Sequence, residues 1–184
     1  KLDGRECSAE LFFSRYEKAN KPCVLTGLSA DWKATSWTPD SLEKRFGACS
    51  FDRGSSGYSY VTLSAFLADA RKSDSAATAA AGGKASDGKT RDEAPPRMIF
   101  DARFGDRDSS AELLREFSVP SLFAHDYMTY LGGSGAASVL RPHWRWLLIG
   151  APRSGFTLHQ DPQCTSAWNT VLYGHKRSAQ RAVC

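Results

Sequence analysis

The sequence predicts an α+β chain, with a mixed helix and strand region first and a run of strand-like segments after it. Two patterns carry that reading. Stretches of helical apolar periodicity opened by Ser or Thr caps fall between residues 8 and 71. Short apolar runs bounded by Gly and Pro recur at 23–27, 98–100, 144–150, 156–160 and 168–172. Composition agrees: 184 residues with 41% hydrophobic, 11% aromatic and 24% charged side chains make a globular chain long enough to bury a core.

Taken in order, Ser8 caps a helix over Ala9–Ala19, in which Leu11, Phe12, Phe13 and Tyr16 make one broad apolar stripe. Asn20-Lys21-Pro22 ends it, and Cys23–Gly27 reads as a short buried strand. Thr38-Pro39 starts a second helix with proline at its first position, and Gly47 stops it. Trp32 and Trp37 are expected in the core. Tyr58–Val61 is a weak strand, and Thr62 caps a helix running to about Arg71.

From Lys72 to Ala94 there is no large apolar residue, only Ser, Ala, Gly, Lys, Asp and similar neighbours, so this stretch is expected to be a flexible insert. Lys72, Lys84 and Lys89 within it read as solvated charges. Met98-Ile99-Phe100 resumes a strand, Ala111–Phe117 looks helical, and Gly132–Gly135 is a loop. Trp144–Gly150 is apolar on both faces and is expected to be a covered strand, with Trp144, Trp146 and Trp168 in the core. Pro152–Gly155 turns the chain into strands at Phe156–Gln160 and Trp168–Leu172.

Twenty-four Lys and Arg against twenty Asp and Glu give a net charge of +4, with no arginine-rich block, so nucleic acid is tolerated as a partner without being argued for. No apolar run approaches the ~20 residues of a membrane span. The five cysteines, Cys7, Cys23, Cys49, Cys164 and Cys184, are odd in number and lack any CxxC spacing. They suit neither a structural zinc site nor a disulfide scaffold, and read as reduced thiols of a cytosolic or nuclear protein.

The chemistry concentrates between Arg141 and Lys176. His159 and Asp161 are two apart, so in an extended segment both project from one face. An imidazole and a carboxylate side by side are two members of a 2-His-1-carboxylate triad for a divalent first-row metal. The alternative is a surface histidine beside an aspartate that opens an Asp-Pro turn. Ser154 sits in no GxSxG elbow and has no base assigned to it. Nothing near Cys164 in sequence would activate it as a thiol. His125 and His143 read as a helix-surface and a strand-start residue.

The wider pattern includes Arg145-Trp146, Pro152-Arg153-Ser154-Gly155, His159-Gln160-Asp161-Pro162, Thr165-Ser166-Ala167-Trp168-Asn169 and Gly174-His175-Lys176-Arg177. Upstream, Lys21–Leu25, the helix entry at Trp37, Ile99-Phe100-Asp101 and Val119-Pro120 follow in family order. Together they resemble the Jumonji-C oxygenases, and within them the arginine demethylase and lysyl hydroxylase branch. The resemblance covers about Ser8 to Arg177.

The resemblance implies the opening strands of a double-stranded β-helix, or jelly roll, and Fe(II)- and 2-oxoglutarate-dependent hydroxylation or demethylation of a protein Arg or Lys side chain. His159 and Asp161 match the first two iron ligands, and Lys176 matches the lysine that pairs with the distal carboxylate of 2-oxoglutarate. Asn169 lines the same pocket, and Phe156 stands where the family places a pocket wall. His175 lies beside the cosubstrate lysine with no metal role, and alternation turns it away from that lysine's face. Partners are expected to be protein substrates, including RNA-associated proteins, with no membrane, and the location nuclear, with the cytoplasm as alternative.

Two features depart from the family. Met98 stands where relatives have tyrosine, so one hydroxyl contact to the cosubstrate is missing. The distal iron-binding histidine is expected many tens of residues beyond Lys176, whereas this sequence runs to Cys184 through a tail, 178–184, unlike the family. The expected organisation is therefore an N-terminal α+β part over 1–71, an insert over 72–96, the first half of a jelly roll over 97–177 and a tail. A truncated oxygenase without turnover is the expectation. A non-catalytic binding module on the same scaffold and a cupin-like metal isomerase are the alternatives; the isomerase would need neither Lys176 nor Asn169.

Overall fold

The computed structural model describes residues 1–54, 59–80, 98–123, 143–152, 154–161 and 165–179, with backbone alone over 74–80. The chain divides into two compact units. One comprises Lys1–Trp37, Leu113–Pro142 and His159–Cys184, and the other Thr38–Glu112 and His143–Leu158.

The second unit holds the larger core. Strands β3 (Ser50–Asp52) and β4 (Tyr60–Thr62) pair antiparallel with Phe51 opposite Val61. Strands β5 (Met98–Asp101) and β6 (Leu147–Gly150) pair antiparallel with Ile99 opposite Ile149. Helix α2 (Pro39–Phe46) starts where Thr38-Pro39 predicts and opens with a capping box: Thr38 Oγ1 accepts from Ser41 N–H and Ser41 Oγ from Thr38 N–H. Gly47 caps its C-terminus, and Leu42 and Phe46 are buried on its inner face. Helix α3 (Leu63–Ala80) packs beside it, with Arg71 reaching Asp40 and Glu43 at 2.7 and 2.8 Å. Phe51, Leu63, Phe66, Leu67, Ile99 and Phe104 fill the interior.

That interior contains one fully buried carboxylate. Asp101 ends β5 and accepts backbone N–H bonds from Asp52 at 2.9 Å and Arg103 at 2.8 Å, together with the Arg107 guanidinium. The side chain thus ties β3 to β5, two strands with no shared ladder. A carboxylate stripped of water needs this many donors to remain buried.

In the first unit, β1 (Leu2–Asp3) pairs parallel with β2 (Leu25–Thr26). Ser8 caps α1 (Ala9–Phe12), which loosens into a π turn over Phe13–Glu17, closed by Lys18 N–H to the Phe13 carbonyl. Asn20, three residues after the π turn, takes the left-handed conformation, φ 49°. Trp37 donates its indole N–H to the buried Glu116 carboxylate at 2.6 Å, and Ala34 N–H reaches the Glu116 carbonyl. Trp32 and Trp37 are buried as expected. Burial, and then the neighbouring Cys7, push the Cys23 thiol up, which suits an inert structural cysteine. Cys7, Cys23 and Cys49 are free thiols.

The α+β class stands, and several boundaries change. The helix expected to end near Arg71 continues to Ala80, nine residues into the expected insert. The reason is local: Ser-Ala-Ala-Thr-Ala-Ala is rich in the residue with the highest helix propensity and needs no apolar anchor to extend an existing helix. The first helix is shorter than expected, and Phe13 on its stripe is exposed. The strand at 23–27 shrinks to two residues and is not buried, with Val24 exposed, because β1 is its single partner in the sheet. Ala111–Phe117 becomes a 3-10 turn over Ala111–Arg115.

The strand at 144–150 shortens to 147–150, and its Trp144, Trp146 and Leu148 side chains stay about two-fifths exposed. A two-stranded sheet leaves faces open whatever the apolar content of its strands. Neither 156–160 nor 168–172 forms a strand. Alternation supplies only the potential for a ladder, and the strands of the described residues pair as three two-stranded sheets. Among the described residues no helix is long and apolar enough to cross a membrane. His125, the Gly132–Gly135 loop, Lys84, Lys89, Cys164, Cys184 and most of the expected insert lie outside the described residues.

Candidate metal and cosubstrate site

Residues 159–161 and 165–176 run as irregular chain in the first unit. His159 Nε2 nonetheless stands 3.4 Å from Asp161 Oδ1, the i, i+2 juxtaposition expected of an extended segment. Their side chains are 57% and 43% exposed, so the pair lies at the surface. Octahedral coordination with bonds near 2.1 Å sets adjacent donors ~3 Å apart, and this pair needs only a small side-chain adjustment to meet it. The nitrogen and oxygen donor set suits a first-row divalent metal. Among the described residues no cluster of three His, Cys, Asp or Glu side chains forms around them.

The second pair meets over seven residues. Lys176 Nζ donates to Asn169 Oδ1 at 3.1 Å. The return is made by a bend at Tyr173-Gly174, where Gly174 adopts φ 79°, a left-handed conformation that L side chains rarely take. No atom lies within 4 Å of where a Cβ at Gly174 would stand, so the backbone angle alone asks for glycine there. An ammonium has three N–H donors and the bond to Asn169 uses one. The pair can therefore present both a charge and a fixed direction to a carboxylate.

Phe156 belongs to the other unit, where its ring packs edge-on against Phe100 at 5.0 Å. Its structural role there is a contact under β5, and half of the residue stays exposed. His175 is exposed beside Lys176, and His143 is exposed ahead of β6. Met98 is buried on β5, paired opposite Gly150.

Three side chains carry more of the geometry than the sequence disclosed. Asp101 and Glu116 hold the two units' interiors, and Trp168, expected in a barrel core, is instead 39% exposed within a row of aromatic rings. Spacing alone could not find these partners, because Trp32, Phe123 and Trp168 are far apart in the chain. The available signal was the concentration of aromatics on otherwise polar segments.

No family model matches the sequence. Among curated proteins, the chain is 34% identical over 176 residues to the lysine-specific demethylase JMJ21 of Arabidopsis thaliana, covering 95% of this chain and 16% of that protein. It is 32% identical over 180 residues to the bifunctional arginine demethylase and lysyl-hydroxylase psr-1 of Caenorhabditis briggsae, covering 96% and 40%. It is 32% identical over 174 residues to the arginine-specific demethylase JMJ22 of Arabidopsis thaliana, covering 94% and 29%. The chain thus spans between about a sixth and two-fifths of the length of these curated relatives. Along about 95% of its own length, the chain is thus similar to demethylases of the Jumonji-C family.

Proposed function

We propose that His159, Asp161, Asn169 and Lys176 build part of the iron and 2-oxoglutarate site of a protein hydroxylase or demethylase, within the early part of a jelly roll. The observation that carries this reading is the Lys176–Asn169 contact in the same unit as the His159–Asp161 pair. A lone HxD serves many surfaces, whereas an oriented ammonium following it in the same sequence block suits a dicarboxylate cosubstrate. His159 and Asp161 would hold the iron. Lys176 binds the distal carboxylate, and Asn169 fixes the direction of the ammonium. The chemistry that bound iron would supply is hydroxylation of a side chain, or loss of an N-methyl group as formaldehyde after its hydroxylation, with dioxygen as the oxidant and 2-oxoglutarate decarboxylated to succinate and carbon dioxide.

The substrate is a protein Arg or Lys side chain, since the relatives named above are arginine and lysine demethylases and lysyl hydroxylases. Proteins that accompany RNA in the nucleus are the proposed setting. A facial triad needs three ligands, and the described residues supply two candidates, His159 and Asp161, so succinate release at background level is the expected outcome. Loss of even an outer partner costs ~10–100-fold in metal affinity or activity. A non-catalytic binding role is the second reading, favoured by the lack of a third ligand cluster among the described residues.

The test combines binding and turnover. With Mn(II) as a redox-silent metal, Lys176→Ala should weaken 2-oxoglutarate binding by about 1.5–3 kcal/mol, the worth of a charged hydrogen bond. Equal affinity in the variant would remove Lys176 from the site. With Fe(II), ascorbate and 2-oxoglutarate, succinate release should equal that of a His159→Ala/Asp161→Ala control. Release above that control would show that a third ligand exists and that the chain is an active oxygenase.

A further inference from the structure

The reading above leaves unexplained how an exposed, irregular segment holds Asn169 and Lys176 in register. Regular structure does not do it, since neither residue lies in a strand or helix. The residue next to Asn169 is the exception to the segment's looseness. Trp168 stacks on Phe123 with ring centroids 5.3 Å apart and planes 8° from parallel. Its indole also meets Trp32 at 6.3 Å with planes tilted by 59°.

Both partners are themselves anchored. Trp32 is buried and packs on Phe117 at 5.7 Å, and Phe123 meets Phe12 of α1 edge-on at 5.4 Å. The row Phe12, Phe123, Trp168, Trp32, Phe117 therefore joins four stretches of sequence through ring contacts. Asn169 is the next residue along the chain, so seating the indole in this row fixes the stretch of backbone from which the Asn169 side chain extends. From there Asn169 meets Lys176 across the Gly174 bend.

We infer that Trp168 is a positioning residue, whose clamp between Phe123 and Trp32 orients Asn169 and thereby the Lys176 ammonium that receives the cosubstrate carboxylate. This rests on the 2-oxoglutarate reading for its purpose, though not for its geometry. Rings fixed on two sides carry little entropy to lose, and an offset stack prefers one orientation. A flat, broad side chain is needed, so phenylalanine should substitute and alanine should not.

The test uses the unsubstituted 184-residue chain and its variants, labelled with 15N at asparagine. The chain has two asparagines, Asn20 and Asn169, so the second side-chain amide is read against an internal control. In the unsubstituted background Lys176→Ala should shift the Asn169 amide and leave Asn20 in place. Trp168→Ala should abolish that response, and Trp168→Phe should keep it. In parallel, 2-oxoglutarate titrated into the Mn(II)-loaded chain should bind about tenfold more weakly to Trp168→Ala, the factor expected from loss of an aromatic pair, and near normally to Trp168→Phe.

An Asn169 amide that still responds to Lys176→Ala in the Trp168→Ala background would overturn the inference, as would no response in the unsubstituted chain. Should Trp168→Ala lose its native spectrum, Phe123→Leu removes the stacked ring from the other side and must abolish the same response. If the amide results hold while the unsubstituted chain binds no 2-oxoglutarate, the cosubstrate reading fails and the positioning of Asn169 by Trp168 stands.

Discussion

Asp101 and Asp161 are both aspartates facing a nitrogen base, and they live in opposite circumstances. Asp101 is fully buried and takes two backbone N–H groups and a guanidinium. Asp161 is 43% exposed and stands 3.4 Å from a histidine. The first carboxylate is satisfied by the protein itself, so nothing remains for a ligand. The second lies partly exposed beside one imidazole and has capacity to bind an ion. Burial with saturated donors builds the fold, and exposure with convergent donors leaves chemistry open.

The contrast breaks most sharply at Asp101. Asp101→Ala withdraws the acceptor from Arg107, Asp52 and Arg103 at once, and should lower stability by about 3 kcal/mol or more, as removal of one partner of a buried ion pair does. Asp101→Asn keeps one carbonyl oxygen and should lie between. Urea unfolding monitored by tryptophan fluorescence measures both. A midpoint unchanged in Asp101→Ala would mean that β3 and β5 are held without it.

Trp37 tests the same principle in the other unit. Trp37→Phe preserves most of the buried ring and removes the indole N–H from the Glu116 carboxylate, at a cost of about 1–3 kcal/mol. The diagnostic is the double variant Trp37→Phe/Glu116→Gln. If the loss comes from the charged hydrogen bond, the two substitutions together should cost less than their sum. Strict additivity would assign the loss to packing alone.

Asp161 should behave in the opposite sense. Asp161→Ala at an exposed position is expected to change stability by less than about 0.5 kcal/mol. It should nevertheless remove divalent metal binding measured by equilibrium dialysis with Mn(II). A large stability loss would make the His159–Asp161 pair a structural contact, and unchanged metal uptake would place the ion elsewhere.

Much of the local structure was legible because it depends on neighbours in sequence. Ser8, Thr38, Pro39, Gly47 and Thr62 mark helix ends by chemistry acting within four residues, and each end falls where they stand. The His159–Asp161 and Asn169–Lys176 pairs were legible for a related reason, since both close over short stretches. The expected strands at 156–160 and 168–172 were not, because a strand is a relation between two segments and alternation describes only one. Asp101, Glu116 and Trp168 were hidden in the same way. Their partners lie far along the chain, and nothing in an Ile-Phe-Asp or a Ser-Ala-Trp states what the last residue will meet. The extension of α3 to Ala80 went unseen for the reverse reason: lack of apolar residues argued against order, while alanine propensity argued for helix.

The smallest expected effect concerns a third aspartate, at the surface of the first unit. Asp3 ends β1 and receives the Arg5 guanidinium at 2.6 and 3.0 Å and the Arg5 backbone N–H at 3.0 Å. The side-chain hydrogen bonds to Arg5, then its backbone N–H, hold the Asp3 carboxyl down at about 2 against an ordinary 3.8. A carboxyl depressed in the folded state contributes stability that is fully present above its unfolded pKa and is lost as pH falls through the folded one. For Asp3 that window runs from about 3.8 down to about 2. Solvent screens an exposed pair, so the contribution to unfolding should be slight and should shrink further in salt. The clear reading is site-specific: the Asp3 carboxyl 13C shift, followed from pH 5 to 1.5, should titrate near 2 in the unsubstituted chain and move up toward the ordinary value in Arg5→Ala, which keeps only the backbone N–H. A midpoint unmoved by Arg5→Ala would show that the β1–β2 edge, and not its arginine, holds this carboxylate ionised.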